Sequence, residues 1–424
     1  MKEFTLTVGL SDADIVGSDN RALQAAVDAV AAAGGGLVHI RAGTYTMHDS
    51  LHLRSHVRIA GEGEKTILAK APSVRTSLVG YLGYGHYDIF VSEPEKLRGG
   101  MGVLIYDNNA VGFYQTVATL TWRDGNRFGI TRMLNHDYDG ANGGSLVSVY
   151  SVVSGCNVED AAVENLVVDG QREQNEPLNG CRGSGVFLLQ AHHVSLQGLL
   201  VRQFNGEGIG FQQCVHTFIE DCVVEDNAGN GLHPGSGSVG PIIRGCALRR
   251  NGTGGVFYCL RVAWSLLEDC LIEDNAGIGI SIGGRDTDHW LRRNVVRKNG
   301  QYGLYFRPGD VEMAGHRCLF EQNTLEGNCA AEFDAEVFLD AAVHDVHLVN
   351  NTITVSPRGG TGVGIRVGPQ ARDIAISGNE ISGRLSAPVE VLGPRESVRF
   401  DMPTRRLAVG PDAAPEHATR HLFA

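Results

Sequence analysis

A repeat of 23 or 24 residues in the middle of the chain constrains the fold more than any other feature. The first half of each unit is apolar and rich in glycine, and its second glycine falls at positions 185, 208, 231, 255, 279 and 303. The second half carries a column at Cys222, Cys246, Cys270 and Asn294, each 24 residues apart. Because a unit this short cannot bury its own apolar face, neighbouring units must stack into a solenoid.

The apolar runs are short and end at glycine or asparagine, which favours a parallel β-helix with one coil per unit. A second column consists of Asn227, Asn251, Asn275 and Asn299. We expect these side chains to accept left-handed turn geometry and to form hydrogen bonds along a ladder. A leucine-rich solenoid is the main competing architecture, but its units would be rich in Leu, whereas these are rich in Val, Ile and Gly.

Composition narrows the function classes. The 424 residues include 56 glycines but only 13 prolines, which fits many tight turns between short strands. The net charge is −12, which argues against a general binder of nucleic acid or membrane surfaces. The nine cysteines are odd in number and follow the repeat, so we expect them to be reduced and mostly buried.

The N-terminal part predicts a cap on the solenoid. The segment 19–47 reads as an amphipathic helix, a glycine break and a first strand, with Asp19 as the N-cap and Gly34–Gly36 ending the helix. One helix face is apolar, and it carries Ala22, Leu23, Ala26, Val27 and Val30. Such a helix would block the open edge of a parallel sheet.

This helix, followed by Gly-Gly-Gly-x-Val-x-Ile, resembles the N-terminal cap and the start of the first coil in the pectate-lyase-like β-helix superfamily. The resemblance covers residues 19–70 and 149–383. It implies an all-β fold, a right-handed parallel β-helix with an N-terminal capping helix. It implies no single activity, because this fold carries hydrolases, lyases, epimerases and binding proteins.

Four regions are predicted. Residues 1–71 form the cap and first coils, 72–148 an inserted antiparallel β subdomain, 149–383 the main β-helix, and 384–424 a C-terminal tail. The insertion is predicted from its alternating pattern and its Asp-Gly and Asn-rich turns. Its many aromatic side chains suggest either a small core of its own or a wall that stacks against sugars.

The candidate site lies on the outward face of the first strand of each coil, where polar and charged groups interrupt the repeat. The expected catalytic residues are Asp286, Asp288, His233 and Asp310. The expected substrate-binding residues are Arg261, Arg285, Arg307, Tyr305, Gln212 and Glu312. Arg261 precedes Arg285 by 24 residues, so their guanidinium groups are expected to stack and to share an anion.

Three functions fit these residues. A glycoside hydrolase would pair Asp286 or Asp288 with Asp310 or Glu312 across the glycosidic bond, and this is the leading hypothesis. A polysaccharide lyase or C5-epimerase would use arginine to neutralise a uronate, and His233 or Tyr305 as base or acid. A carbohydrate-binding solenoid without catalysis is the third alternative. The superfamily's polygalacturonase pattern is absent, and no lysine lies on this face.

The expected partner is a poly- or oligosaccharide, anionic if the arginines bind it; no nucleic acid or membrane partner is expected, and association into an oligomer is left open. No cofactor is expected, although Asp286, Asp288 and Asp310 are oxygen ligands of the kind that Ca²⁺ takes. No site for zinc or a nucleotide is recognised. The N-terminus lacks the pattern of a signal peptide, which predicts a cytoplasmic protein as given, or a secreted one if a leader was removed.

Overall fold

The computed structural model describes residues 4–330, 332–400, 407–415 and 418. The chain divides into two compact units. Unit 1 comprises Met1–Cys156, Glu164–Phe187 and Val201–Gly210, and unit 2 comprises Asn157–Val163, Leu188–Leu200 and Phe211–Ala424.

In unit 1 the predicted capping helix, Asn20–Ala32, follows the two short strands Thr5–Gly9 and Ile15–Val16. Asp19 is its N-cap, and its side chain accepts a hydrogen bond from the backbone N–H of Arg21. Ala22 is half-buried, and the other predicted face residues are fully buried against the neighbouring strands: Leu23, Ala26, Val27 and Val30. The parallel strands of this unit are Thr5–Gly9, Ile15–Val16, Gly36–Ile40, Gly43–Met47, Leu51–His52, Val57–Ala60, Thr66–Lys70, Val153–Cys156 and Val167–Asp169.

The predicted antiparallel subdomain is present in unit 1. Its six-stranded sheet has the spatial order Asp88–Phe90, Arg127–Ile130, Thr116–Asp124, Gly102–Tyr106, Ser145–Val147 and Arg75–Ser77. A two-stranded sheet joins Tyr81–Leu82 to Tyr138–Asp139. A hydrophobic core of its own, centred on residues such as Phe128, Tyr138 and Leu146, holds this subdomain together. The 3-10 helices of the unit are Gly63–Lys65, Pro94–Lys96, Gly112–Tyr114, Gly140–Asn142 and Arg172–Gln174.

Unit 2 is a parallel β-helix built on three sheets, and most of its coils contribute one strand to each sheet. Sheet 1 contains Ser195–Gln197, Phe218–Glu220, Ile242–Arg244, Leu266–Glu268, Trp290–Arg292, His316–Glu321, His344–Val349, Arg372–Ser377 and Val398–Phe400. Sheet 2 contains Val223–Glu225, Ala247–Arg249, Leu271–Glu273, Val295–Arg297, Thr324–Glu326, Thr352–Val355 and Glu380–Gly383. Sheet 3 contains Leu232–Gly235, Val256–Phe257, Ile280–Ile282, Leu304–Phe306, Ala335–Leu339, Gly362–Val367 and Leu385–Val391.

Four further strands each contain a residue at which the chain passes from one unit to the other: Ala162–Glu164, Val186–Leu189, Leu200–Arg202 and Ile209–Gln212. Unit 2 also has the 3-10 helices Arg395–Ser397 and Pro411–Ala413. No helix in the described part of the chain is long and apolar enough to cross a membrane.

The predicted asparagine ladder runs through the interior of unit 2. Nδ2 of Asn251 donates to Oδ1 of Asn275 at 3.0 Å, and Nδ2 of Asn275 donates to Oδ1 of Asn299 at 2.9 Å. Each amide also donates to a backbone carbonyl of an earlier strand, as Asn275 does to Leu248 at 3.0 Å. The ladder therefore satisfies buried backbone groups at a corner where the chain leaves the regular sheet.

One detail of the ladder differs from the prediction. The left-handed backbone conformation belongs to the residue before each asparagine, at Asp226, Arg250, Asp274 and Lys298, with φ between 53° and 57°. The turn therefore directs the amide of the following asparagine inward. The side chain of the residue in the left-handed conformation stays partly or fully exposed, so it can carry a charge. The cysteine column is buried as predicted, and none of the nine cysteines, all of which the structure describes, forms a disulfide.

Candidate functional site

The outer face of sheet 3 in unit 2 carries one row of aromatic and polar side chains. Strand pairing places Phe257 beside Ser281, Ser281 beside Tyr305, and Tyr305 beside Phe338. Arg366 follows Phe338 on the next strand. Because neighbouring strands lie about 4.8 Å apart, an extended ligand along the axis would meet each of these side chains in turn.

Arg307 lies beside this row, and neutral groups supply most of its contacts. Its Nη1 donates to the Ser281 hydroxyl and its Nη2 to the Tyr258 carbonyl, both at 2.7 Å. The guanidinium carbon lies 4.3 Å from the centre of the Phe257 ring, a cation–π contact. Among the residues that the structure describes, its one acidic partner is Asp286, at 3.4 Å. Burial lowers the pKa of Arg307, so its positive charge is held at a cost.

Gly283 gives the Arg307 side chain its space. A Cβ atom at this glycine would lie 3.1 Å from both Cβ and Nε of Arg307 and 3.3 Å from its guanidinium carbon. The glycine therefore allows the arginine to fold back over the preceding strand, where Ser281 and Phe257 bind it.

Asp286 is behind Arg307, and the prediction that it is exposed is wrong. Its side chain is 0% exposed and accepts hydrogen bonds from the backbone N–H groups of Val262 and Gly283, each at 3.0 Å. The turn after the strand directs the side chain inward, where it ties neighbouring coils together. Burial raises the pKa of Asp286 to about 7, although Arg307 and the two N–H groups act in the opposite direction. Asp286 therefore positions Arg307 and does not face a ligand.

Asp288 is also buried, so the expectation that it is exposed is wrong as well. The Arg317 guanidinium binds both of its oxygens, with Nε at 2.6 Å from Oδ1 and Nη2 at 2.7 Å from Oδ2. The Thr287 hydroxyl donates to the same carboxylate at 2.6 Å. Asp286 and Asp288 thus bind different arginines. Calcium binding stays a prediction, and both arginines would compete with Ca²⁺ for these oxygens.

Asp310 and Glu312 are exposed in the loop that follows Arg307. Arg285, also exposed, donates from Nε to the Glu312 carbonyl at 3.0 Å. The Arg285 guanidinium thus binds a backbone carbonyl of the loop in place of the expected anion shared with Arg261, which is exposed on the preceding coil.

His233 and Gln212 are buried, with exposed fractions of 4% and 7%. The rings of His233 and Phe257 form a T-shaped contact, with centroids 5.4 Å apart. The expectation that His233 is open to a ligand is therefore wrong, because the aromatic side chain on the next strand covers it.

Tyr305 is half-buried and is the expected residue best placed to contact a ligand. Its hydroxyl donates to Oδ2 of Asp340 at 2.8 Å. Burial and this carboxylate raise the pKa of the Tyr305 phenol, so the proton stays on the tyrosine at neutral pH. The ring stacks on Tyr302 with centroids 4.7 Å apart and lies 5.8 Å from Phe338.

Arg366 closes this end of the row. Its guanidinium binds both oxygens of Asp334, at 2.6 and 3.0 Å, and its Nε donates to Glu390 at 2.5 Å. The side chain is 16% exposed and lies 5.7 Å from the Phe338 ring. Two carboxylates thus compensate the Arg366 charge, which leaves Arg307 as the less compensated cation on this face.

Sequence reasoning missed Phe338, Asp340 and Arg366 as members of the site. The interval from Tyr305 to Phe338 is longer than the 24-residue period, because both the loop after Arg307 and the segment before strand Ala335–Leu339 are lengthened. The sequence did contain a signal for this alignment. Tyr305–Phe306–Arg307 and Phe338–Leu339–Asp340 both consist of an aromatic residue, a second apolar residue and a charged residue, in that order.

Comparison with protein families decides the classification. The model described as a right-handed β-helix region matches residues 99–261 and 184–353, which together span more than half of the chain. The chain belongs to this family. The predicted right-handed β-helix and the superfamily resemblance are thereby confirmed.

Solved structures of three different kinds share the fold. The A-module of the mannuronan C-5 epimerase AlgE4 from Azotobacter vinelandii is 15% identical with a TM-score of 0.50, covering 93% of this chain and 100% of that one. An exopolygalacturonase from Thermotoga maritima is 14% identical with a TM-score of 0.51, covering 93% and 91%. PfbA, a surface adhesin of Streptococcus pneumoniae, is 12% identical with a TM-score of 0.53, covering 93% and 91%.

At such identities the likeness shows the fold alone. No curated protein matches the chain by sequence. An activity can therefore be inferred only from the side chains themselves, above all those of sheet 3.

Proposed function

We propose that this protein acts on a uronate-containing poly- or oligosaccharide that lies along the outer face of sheet 3. The observation that carries the proposal is Arg307, a largely buried guanidinium with neutral partners and one carboxylate at 3.4 Å. Such a cation favours an anionic ligand, and a planar sugar carboxylate matches the two-pronged geometry of guanidinium. The adjacent aromatic rings would stack on sugar faces.

The chemistry best supported is removal of the C5 proton of the uronate, as in a lyase or a C5-epimerase. Neutralisation of the sugar carboxylate by Arg307 makes the neighbouring C–H bond more acidic. Asp340 is the candidate base, and Tyr305, which holds its proton at neutral pH, is the candidate acid. If Tyr305 protonates the C4 leaving oxygen, the product is an unsaturated sugar; if C5 is reprotonated on the opposite face, the sugar is epimerised.

The hydrolase hypothesis loses its expected carboxylate pair, because Asp286 and Asp288 are buried and bound to arginines. The shared fold with a protein named as a mannuronan C-5 epimerase is compatible with C5 chemistry on such a scaffold, but it does not carry the proposal.

The test is incubation with mannuronan, polygalacturonate and a neutral glucan in deuterated buffer, with three readouts. We expect deuterium at C5, or ultraviolet absorbance of an unsaturated uronate, only with the anionic polymers. The Arg307→Gln variant should lose this signal, and the matched control Arg372→Gln, an exposed arginine on sheet 1, should keep it. New reducing ends without deuterium or absorbance would indicate hydrolysis and contradict the proposal, as would no change to any polymer.

A further inference from the structure

Unit 1 contains a serine, a histidine and an aspartate that hydrogen bonds join in series, and the proposed carbohydrate site uses none of them. The Ser154 hydroxyl oxygen lies 3.1 Å from Nδ1 of His52. Nε2 of the same ring lies 3.1 Å from Oδ2 of Asp49. A nucleophile, a base and an orienting acid at hydrogen-bond distances have the arrangement of a catalytic triad.

Strand pairing places Ser154 directly beside His52. The strands Leu51–His52 and Val153–Cys156 are parallel neighbours, and the two residues are register partners. Register partners on neighbouring strands direct their side chains to the same face of a sheet. The backbone N–H of Leu53 also donates to the Ser154 carbonyl at 2.8 Å. The contact between hydroxyl and imidazole is therefore set by regular backbone pairing.

The capping helix fixes the backbone of His52 from the other side. Gln24 of this helix donates from Nε2 to the His52 carbonyl at 3.1 Å, and its Oε1 accepts from the His52 N–H at 2.8 Å. The strand Leu51–His52 is the last in its sheet, so the Gln24 amide replaces a missing strand partner. The histidine is thereby held at both backbone edges.

Asp49 is shielded from water, whereas the His52 ring is open to a ligand. The exposed fractions of their side chains are 8% and 38%. The Thr119 hydroxyl donates to Oδ2 of Asp49 at 2.8 Å. Gly102 leaves space for the carboxylate, because a Cβ atom there would lie 2.5 Å from Oδ1. A shielded acid behind an accessible base is what this division of roles requires.

The hydrogen bonds also determine the tautomer of His52. A carboxylate can only accept, so Nε2 carries the proton and donates it to Asp49. The lone pair of the neutral ring is then on Nδ1, where it accepts the hydrogen bond of the Ser154 hydroxyl. This tautomer is the one that lets the ring act as a general base toward serine.

We propose that Ser154, His52 and Asp49 form a second catalytic site, which hydrolyses carboxylic esters. Nδ1 of His52 takes the hydroxyl proton as Oγ of Ser154 bonds to the carbonyl carbon. The proton passes to the departing alcohol oxygen as the ester C–O bond breaks, which leaves an acyl-serine. Water, deprotonated by the same nitrogen, attacks the acyl carbon; the carboxylic acid leaves, and Ser154 regains its proton.

Labelling of the full chain with diisopropyl fluorophosphate is the first test, because this reagent reacts with a serine that a base activates. We expect peptide mass spectrometry to locate the adduct on Ser154. The control Ser77→Ala, on an exposed serine of the same unit, should be labelled like the wild type. An unlabelled Ser154 would show that the three residues have a structural role only and would overturn the proposal. This readout does not depend on the folding of any active-site variant.

Hydrolysis of p-nitrophenyl acetate is the second test. Ser154→Ala should lower kcat/KM by about a hundredfold, to the level of a lone imidazole. Asn at position 49 can donate to Nε2 and so favours the wrong tautomer; Asp49→Asn should therefore lower kcat by a similar factor with KM unchanged. Undiminished hydrolysis by Ser154→Ala would indicate simple imidazole catalysis and contradict the proposal. No polysaccharide enters either experiment, so the outcome is independent of the proposed carbohydrate activity.

Discussion

Nη2 of Arg307 lies 3.4 Å from Oδ2 of Asp286, and the carboxylate is completely buried while the guanidinium reaches the surface of sheet 3. Asp286 thus contacts the guanidinium from the interior side, where no ligand can reach the carboxylate. Its other partners, the Ser281 hydroxyl and the Tyr258 carbonyl, fix its direction without neutralising it. This arrangement presents a positioned positive charge to whatever binds along the row.

Burial of Asp286 predicts an unusual dependence of stability on pH. Its pKa is raised from 3.8 to about 7 in the folded chain, so the folded state binds a proton that the unfolded state has released. The free energy of unfolding should therefore fall as pH rises from about 4 to 7, by at most about 1.4 kcal/mol per pH unit from this group. Urea unfolding across this range should show a smaller fall in Asp286→Asn. A wild-type stability that rises relative to Asp286→Asn would show that Arg307 keeps the carboxylate ionised.

Gly283→Ala should impair activity more than stability. The added methyl group would lie 3.1 Å from the Arg307 side chain, so the guanidinium must move away from Ser281. A displacement of about 1 Å in a substrate-binding group can lower the rate by about a hundredfold, so the smaller shift expected here should lower it by about tenfold. Activity on the anionic polymer and the melting temperature are measured together. Gly359→Ala is the control, because a Cβ there meets no atom within 4 Å; equal losses in both variants would contradict a role for Gly283.

Asp288→Ala should destabilise the fold by about 1–3 kcal/mol, because it removes a buried carboxylate bound by Arg317 and Thr287. Asp310→Ala changes an exposed loop residue and should alter the free energy of unfolding by less than about 0.5 kcal/mol. Chemical denaturation of both variants checks the difference. A stable Asp288→Ala with abolished activity would restore the sequence-based hypothesis that Asp288 is catalytic.

Tyr305→Phe should lower kcat by about a hundredfold with a smaller change in KM, because it removes the proposed acid but keeps the ring that stacks on Tyr302. Tyr302→Phe is the matched control on the same surface and should retain kcat. Steady-state kinetics on the polymer that the wild type modifies provides the measurement. If both variants behave alike, the hydroxyl of Tyr305 takes no part in the chemistry.

The sequence determined the coil, the sheets and much of the interior. Equivalent residues at a fixed period must stack in a solenoid, so the spacing of Asn251, Asn275 and Asn299 predicted both the fold and the hydrogen-bonded ladder. The helix face from Leu23 to Val30 was equally visible, since amphipathic periodicity depends only on local order. Tyr305 and Arg307 were also identified, because they follow the outward register of a strand that keeps the period.

Only the tertiary structure decided which charged groups reach the surface. Arg285 and Asp288 have φ values of 67° and 62°, and these left-handed turns send Asp286 and Asp288 inward to backbone N–H groups and arginines. Alternation along a strand does not extend through such a turn, so counting residues placed both carboxylates on the wrong side. The two insertions between Arg307 and strand Ala335–Leu339 likewise hid Asp340, whose place beside Tyr305 depends on strand pairing across them.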